Sequence, residues 1–168
     1  MKIKIEKHNT NWAKIFQDLK YKITNNINES DISIEHIGST SVNNLASKPI
    51  IDILIGVNSN NLDNYITPII NLGFTYVKEY EKDIPNRRFF FLENNSRRTS
   101  HIHLVGINSR WYKRHIAFRN ELRSNEITKK EYEKLKYKLS KQEWDDGNEY
   151  ADAKTKFIRA IEKNLIID

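Results

Sequence analysis

Cysteine is absent from the chain, which excludes disulfides, thiolate nucleophiles and Cys-ligated zinc or iron–sulfur centres. Five glycines and three prolines among 168 residues are too few for collagen-like or Pro/Gly-rich disordered sequence. No apolar run approaches the roughly 20 residues of a membrane span, and residues 1–10 hold no signal-peptide centre. The expectation is a soluble, cytoplasmic protein without a membrane partner, folded as one domain over residues 1–168. Walker loop, dinucleotide fingerprint, nucleophile elbow and zinc-protease helix are all missing, which sets those enzyme classes aside. Three Trp, eight Tyr and seven Phe are nevertheless present to supply a core.

Arginine is missing from the first half. Residues 1–84 carry nine Lys against ten acids, whereas the remainder carries all nine Arg and a surplus of positive charge within a net +6. Guanidinium donors match phosphate oxygens, so the asymmetry is compatible with a phosphorylated partner. Nothing in the spacing assembles a nucleic-acid patch.

Apolar spacing predicts a helix through Trp12, Ile15, Phe16, Leu19, Ile23 and Ile27, capped at Asn9 or Thr10 and preceded by a short strand containing Ile3 and Ile5. Residues 32–37 alternate as a strand, 39–48 read as a polar turn, and 50–57 are almost wholly aliphatic, as in a buried strand. A helix over 62–72, bent at Pro68 and ended by Gly73, precedes strands at 74–80, 87–93 and 100–105. Ser109 caps a helix holding Trp111, His115, Phe118 and Leu122. Thr128 and Glu131 form a capping-box pattern before a Lys-rich helix, and Tyr150, Phe157, Ile158, Ile161 and Leu165 line a final one. The fold class expected is α/β (α+β): a mixed sheet flanked by helices, with additional C-terminal helices.

The distinctive text is Glu35-His36-Ile37-Gly38-Ser39-Thr40-Ser41, then Lys48-Pro49-Ile50-Ile51-Asp52-Ile53-Leu54-Ile55-Gly56-Val57. A carboxylate within an aliphatic strand must reach the surface, a donor, a cation or a metal. Alternation puts Asp52, Leu54 and Gly56 on one face. Gly38 lets backbone amides approach a ligand, while Ser39, Thr40 and Ser41 add donors suited to phosphate oxygens. Mg²⁺ on Asp52 would then neutralise the phosphates of a nucleotide.

At these residues the chain resembles the GrpB family of the nucleotidyltransferase superfamily, and the Trp12 helix, the 100–105 strand and the helix from His115 to Arg123 look similar too. The resemblance implies that Gly38 and Ser39 meet a triphosphate, that Asp52 holds the catalytic metal, and that a nucleotidyl group passes to a small acceptor. Leu54 departs from it, standing where the superfamily has a second acid.

Other residues are candidates to complete the site. His101 and His103, two apart on a strand, share a face and with Asp52 make a two-His-one-carboxylate set suited to Zn²⁺ or Mn²⁺. Parity groups His36 with Gly38 as a pocket residue, leaving Glu35 as pocket residue or ion-pair partner. Lys48 can reach a phosphate or Asp52. His115, Arg119 and Arg123 form a helical stripe that either presents cations over the pocket, with Arg119 on phosphate, or is a plain polar face. Three readings stand: nucleotidyl transfer, a non-catalytic nucleotide-binding module, and metal-dependent hydrolysis on Asp52, His101 and His103.

Overall fold

The structure is a computed structural model that describes residues 1–27, 32–58 and 61–165. Helix α1 (Asn11–Asn26) leads into β1 (Ile32–Ile37), a 3₁₀ turn over Ser39–Ser41, and β2 (Ile51–Val57). A 3₁₀ turn at Leu62–Tyr65 and the short α2 (Ile66–Ile70) precede β3 (Thr75–Tyr76), β4 (Arg87–Asn94) and β5 (Arg97–Gly106). Three helices finish the chain: α3 (Arg110–Ser124), α4 (Glu126–Ser140) and α5 (Gly147–Leu165). The five-stranded sheet has the order β1-β2-β5-β4-β3. Only β2 and β5 pair in parallel; the other neighbours are antiparallel. This is the mixed α/β sheet flanked by helices that the sequence pattern predicts.

Strand β2 is aliphatic on both sides because it is covered on both sides. Ile51, Ile53, Ile55 and Val57 join Ile102, Leu104 and Phe90 beneath Trp12, Phe16 and Ile23 of α1. On the opposite face Ile37, Leu54 and Val105 meet Trp111, Tyr112 and Ile116 of α3. Complete burial of Ile53, Leu54 and Ile55 contributes roughly 1.5–3 kcal/mol for each side chain. Helices α4 and α5 extend this second layer through Tyr132, Phe157 and Ile158 packed with Leu122 and Phe118.

Several local expectations are corrected by tertiary context. Ile3 is buried with Leu139 and Tyr150, but the first residues form isolated bridges, Lys2 to Glu143 and Glu6 to Ser47, instead of a strand. Thr10 makes no side-chain cap; Asn9 Oδ1 accepts from the Asn11 amide, and Ile15 lies exposed. The run 74–80 is a two-residue strand followed by a 3₁₀ turn at Lys78–Glu81. Ser109 caps α3 as predicted, accepting from the Tyr112 amide. For α4 the cap is Asn125, whose Oδ1 accepts from the amides of Ile127 and Thr128. Thr128 instead donates to Glu121 Oε1. Among the described residues, no helix is long and apolar enough to cross a membrane.

Candidate functional site

Register assembles the site on the α3 side of the sheet. Asp52 lies opposite Ile37 on β1 and beside His101 on β5, with Leu54 beside His103; Phe91 and Phe89 oppose the two histidines on β4. Paired residues in neighbouring strands project to the same face, so one acid and two imidazoles emerge side by side over an aromatic floor. His101 Nδ1 lies 3.1 Å from Asp52 Oδ1 and His103 Nε2 3.8 Å from the same oxygen. One ligand atom from each of the three falls within 4.8 Å of the others. The Asp52 side chain retains 27% of its exposure, so the cluster opens to solvent at one side.

Burial alone would push the Asp52 carboxyl up, but the hydrogen bond with His101 and the His103 ring close by outweigh it and hold the carboxyl well below the usual range. Burial drives His103 down to about 4 against the pull of Asp52. At neutral pH the acid is therefore ionised and the His103 ring neutral, the protonation states that metal ligation requires. His101 Nε2 and His103 Nδ1 are buried and have no hydrogen-bond partner among the described residues. These are the ring nitrogens turned away from Asp52; those that face its carboxylate are His101 Nδ1 and His103 Nε2, and two imidazoles with one carboxylate suit Zn²⁺ or Mn²⁺ better than Mg²⁺.

Gly38 has a sharper reason to be glycine than open backbone. Its φ of +69° is left-handed, and a Cβ there would lie 2.4 Å from Asp52 Oδ2. The turn wraps directly over the carboxylate. Gly56 admits α3 instead of a ligand: a Cβ would come 2.6 Å from the Tyr112 ring, whose hydroxyl hydrogen-bonds Ser33 Oγ at 2.7 Å.

The hydroxyl-rich turn is mostly committed to its own fold. Thr40 Oγ1 donates to the Ile50 carbonyl and shares a bond with His36 Nε2, both at 3.0 Å. Ser41 Oγ donates to the Gly38 carbonyl at 2.6 Å. Of the three hydroxyls expected to meet phosphate, only Ser39 lines the cavity with Asp52, and it reaches the buried Tyr132 phenol. That cavity, about 180 Å³, lies between the sheet and α3 to α5, with His103, His115 and Glu162 on its walls.

His36 does not join it. Parity counted through Gly38 fails because the left-handed residue turns the chain, and register places Glu35 and Ile37, not His36, on the face of Asp52. The His36 ring stacks on Phe16 with centroids 4.7 Å apart. Burial drives it down to about 4, as expected of a neutral core histidine. Glu35 takes the ion-pair role, accepting from Arg119 Nη1 at 2.5 Å. Arg119 also donates to the His36 carbonyl and Asn120 Oδ1, and Arg123 to the Ser41 carbonyl. Arg119 lines the same cavity as Asp52, while its Nε and Nη1 donors are engaged within the fold; together the two guanidinium groups clamp β1 and its turn to α3. His115 does line the cavity. Its ring stacks 3.4 Å from the Trp111 indole, its Nδ1 donates to the Trp111 carbonyl at 2.7 Å, and burial lowers it to about 3.

Lys48 lies half-buried and is lowered by burial while Asp52 pulls it up. Three further cations surround the cluster. Arg87 acts on His103, Lys154 feels both Asp52 and Lys48, and Arg98 lies 4.1 Å over the Phe91 ring. Sequence reasoning missed them. Only the Arg87-Arg88 pair opening an aromatic strand carried a signal, since alternation sends one arginine to each face.

The sequence profile of the GrpB protein family matches residues 2–164. YqkA of Bacillus subtilis is 34% identical over 163 residues, which cover 97% of this chain and 47% of YqkA, so the chain spans about half of that relative's length. The glutamate-rich protein GrpB of Alkalihalophilus pseudofirmus is 31% identical, with 92% of this chain and 90% of that protein aligned. The crystal structure of the conserved protein GrpB from Enterococcus faecalis superposes with a TM-score of 0.83 at 32% identity, covering 96% of each chain. A match from Lys2 to Asn164, repeated in three dimensions, shows that this chain belongs to the GrpB family.

Proposed function

We propose that the chain binds a divalent ion on Asp52, His101 and His103 and cleaves a phosphoester or phosphoanhydride bond in a phosphorylated small molecule, most naturally a nucleotide. The single observation that carries this reading is the convergence of those three donors beside the Gly38–Ser39 strand end. An ion held there would supply a Lewis acid and lower the pKa of bound water. Gly38 leaves room for the Asp52 carboxylate, and Ser39 faces the ligand cavity. His115, with Nδ1 committed to a carbonyl, presents Nε2 as a hydrogen-bond acceptor; its low pKa suits it to orienting a hydroxyl more than to taking its proton.

Nucleotidyl transfer through two ions, which the resemblance implies, is the less favoured reading. Leu54 is wholly buried with Ile37 and Val105, and an aliphatic side chain cannot ligate a second ion. Zn²⁺ or Mn²⁺ is accordingly the proposed cofactor in place of Mg²⁺. Titration of the purified chain with Mn²⁺ and Zn²⁺, followed by phosphate and pyrophosphate release from nucleoside triphosphates, tests the proposal. One ion per chain, lost in Asp52→Ala and His101→Ala, with ion-dependent phosphate release from the wild type, is expected. Substoichiometric binding indifferent to both substitutions defeats the metal reading; stoichiometric binding without turnover moves the protein to a non-catalytic nucleotide-binding module. Pyrophosphate release only in the presence of an acceptor restores nucleotidyl transfer.

A further inference from the structure

We propose that the free edge of β1 is a docking site for an acidic, extended segment of a partner protein, which adds to the five-stranded sheet as a sixth strand. The edge lies in a groove of about 610 Å³, separate from the smaller cavity beside Asp52 although the two share Arg119.

Phe16 and Lys20 of α1 form one wall of the groove, Arg119 and Arg123 of α3 the other, and Ile34, Glu35 and His36 its floor. Helices α1 and α3 cover opposite faces of the sheet, so a groove reached by both, and by three successive residues of one strand, runs along that strand's open edge. Ladder parity decides which backbone groups face it. The Ile107 amide donates to the Val57 carbonyl at 2.9 Å, so Val57, and by alternation Ile55, Ile53 and Ile51, spend their backbone groups on β5. Asp52, Leu54 and Gly56 therefore bond β1, through Ile37, Glu35 and Ser33 opposite them. Ile32, Ile34 and His36 are left with N–H and C=O turned outward. Arg119 agrees with that sense, since its Nη1 donates to the His36 carbonyl at 3.1 Å. The other outward groups have no partner among the described residues.

Exposed edges are commonly blocked by proline, lysine, a bulge or shortness. The opposite edge of the sheet ends in the two-residue β3, but β1 keeps six residues in unbroken register, with neither proline nor lysine among them. Main-chain pairing supplies affinity at such an edge, and side chains choose the partner. Lys20, Arg119, Arg123 and Lys129 line the groove against one acid, Glu35. Glu35 is occupied by Arg119, and Lys129 by Glu126. Arg123 donates Nε and Nη2 to a neutral carbonyl, and Lys20 has no ion pair among the described residues, so an uncompensated positive charge stands on each wall. A second copy of the chain would bring the same charges to the same edge, and like charges repel. Alternate residues of an incoming strand face α1 and α3 in turn, so carboxylates on both of its faces meet these cations.

The test titrates the full chain, without added metal, against three capped octapeptides in a calorimeter: TEETTEET, whose glutamates fall on both faces of a strand, its lysine counterpart TKKTTKKT, and TEETTEET N-methylated at all four glutamates. The first is expected to bind at least about tenfold more tightly than either control, because one reverses the charge and the other removes ladder donors. Lys20→Glu should weaken it about fivefold. Ile32→Pro deletes an outward N–H at the first position of a strand, where proline is tolerated, and should weaken it about tenfold; thermal melts verify that both variants fold. Bound peptide should also slow hydrogen exchange at the Ile34 and His36 amides at least about tenfold. No binding of TEETTEET to the wild type, equal binding of either control, or exchange unchanged at both amides overturns strand addition. A wild-type dimer that Ile32→Pro dissociates assigns the edge to a second copy and overturns the acidic partner.

Discussion

Replacing Gly38 by alanine tests the geometry at the centre of the site. Two costs are expected. The first is backbone: φ of +69° with ψ of −177° is a region nearly confined to glycine, which costs about 1–3 kcal/mol for another residue. The second is steric, because the new Cβ would lie 2.4 Å from Asp52 Oδ2 and 3.2 Å from Asp52 Cβ. The carboxylate must rotate away, breaking its 3.1 Å contact with His101, and a hydrogen bond to a charged group is worth about 1.5–3 kcal/mol. Together Gly38→Ala should cost about 2.5–6 kcal/mol, a large share of the roughly 5–15 kcal/mol typical of a domain. Urea unfolding at pH 7.5 measures it. In an Asp52→Ala background the oxygen that collides is gone, so the backbone cost and the lesser 3.2 Å crowding against the Cβ should remain, and the double-mutant cycle should show a coupling of about 1.5–3 kcal/mol. A cost below about 1 kcal/mol, or the same cost in both backgrounds, refutes the claim that Gly38 exists to accommodate Asp52.

Lys136 offers a pH test away from the site. It is buried, its ammonium donates to the Ala46 carbonyl, and burial lowers it to about 7. The unfolded chain therefore binds more protons between about pH 7 and 10, and stability should rise with pH there by up to about 1.4 kcal/mol per unit. Lys136→Met should flatten that component in urea titrations from pH 6 to 9; an identical slope in both proteins would count against it. Gly56→Ala, whose Cβ would meet Tyr112 at 2.6 Å, should cost about 1–3 kcal/mol, and Tyr112→Leu should recover most of it in thermal melts. Arg119→Met strips the partner from Glu35 and the His36 carbonyl. It should destabilise by about 2–4 kcal/mol yet leave Mn²⁺ affinity unchanged, which separates its clamping role from ligand binding.

The architecture was legible because its signals are periodic. A short, β-branched, almost wholly aliphatic run reads as a strand covered on both faces, and β2, with Leu54 packed on one side and Ile53 on the other, is that strand. Asp52, His101 and His103 stood out for a related reason: polar groups at alternating positions on apolar strands share a face once the strands are neighbours. Where local rules met competition they failed. Thr128 had the capping-box spacing, but Asn125 one turn earlier took the two amides. His36 and Arg119 carried the right chemistry and were drawn into stacking and clamping instead.

Sequence alone therefore determined the element pattern, the family resemblance and the identity of one acid with two histidines, since hydrophobic alternation and motif spacing are properties of the chain itself. Tertiary structure decided the adjacency of β2 and β5, the glycine turn closed over a carboxylate, and the arrival of Lys154 from a helix about 100 residues after Asp52. Strand order and helix docking depend on long-range packing, which no local pattern encodes.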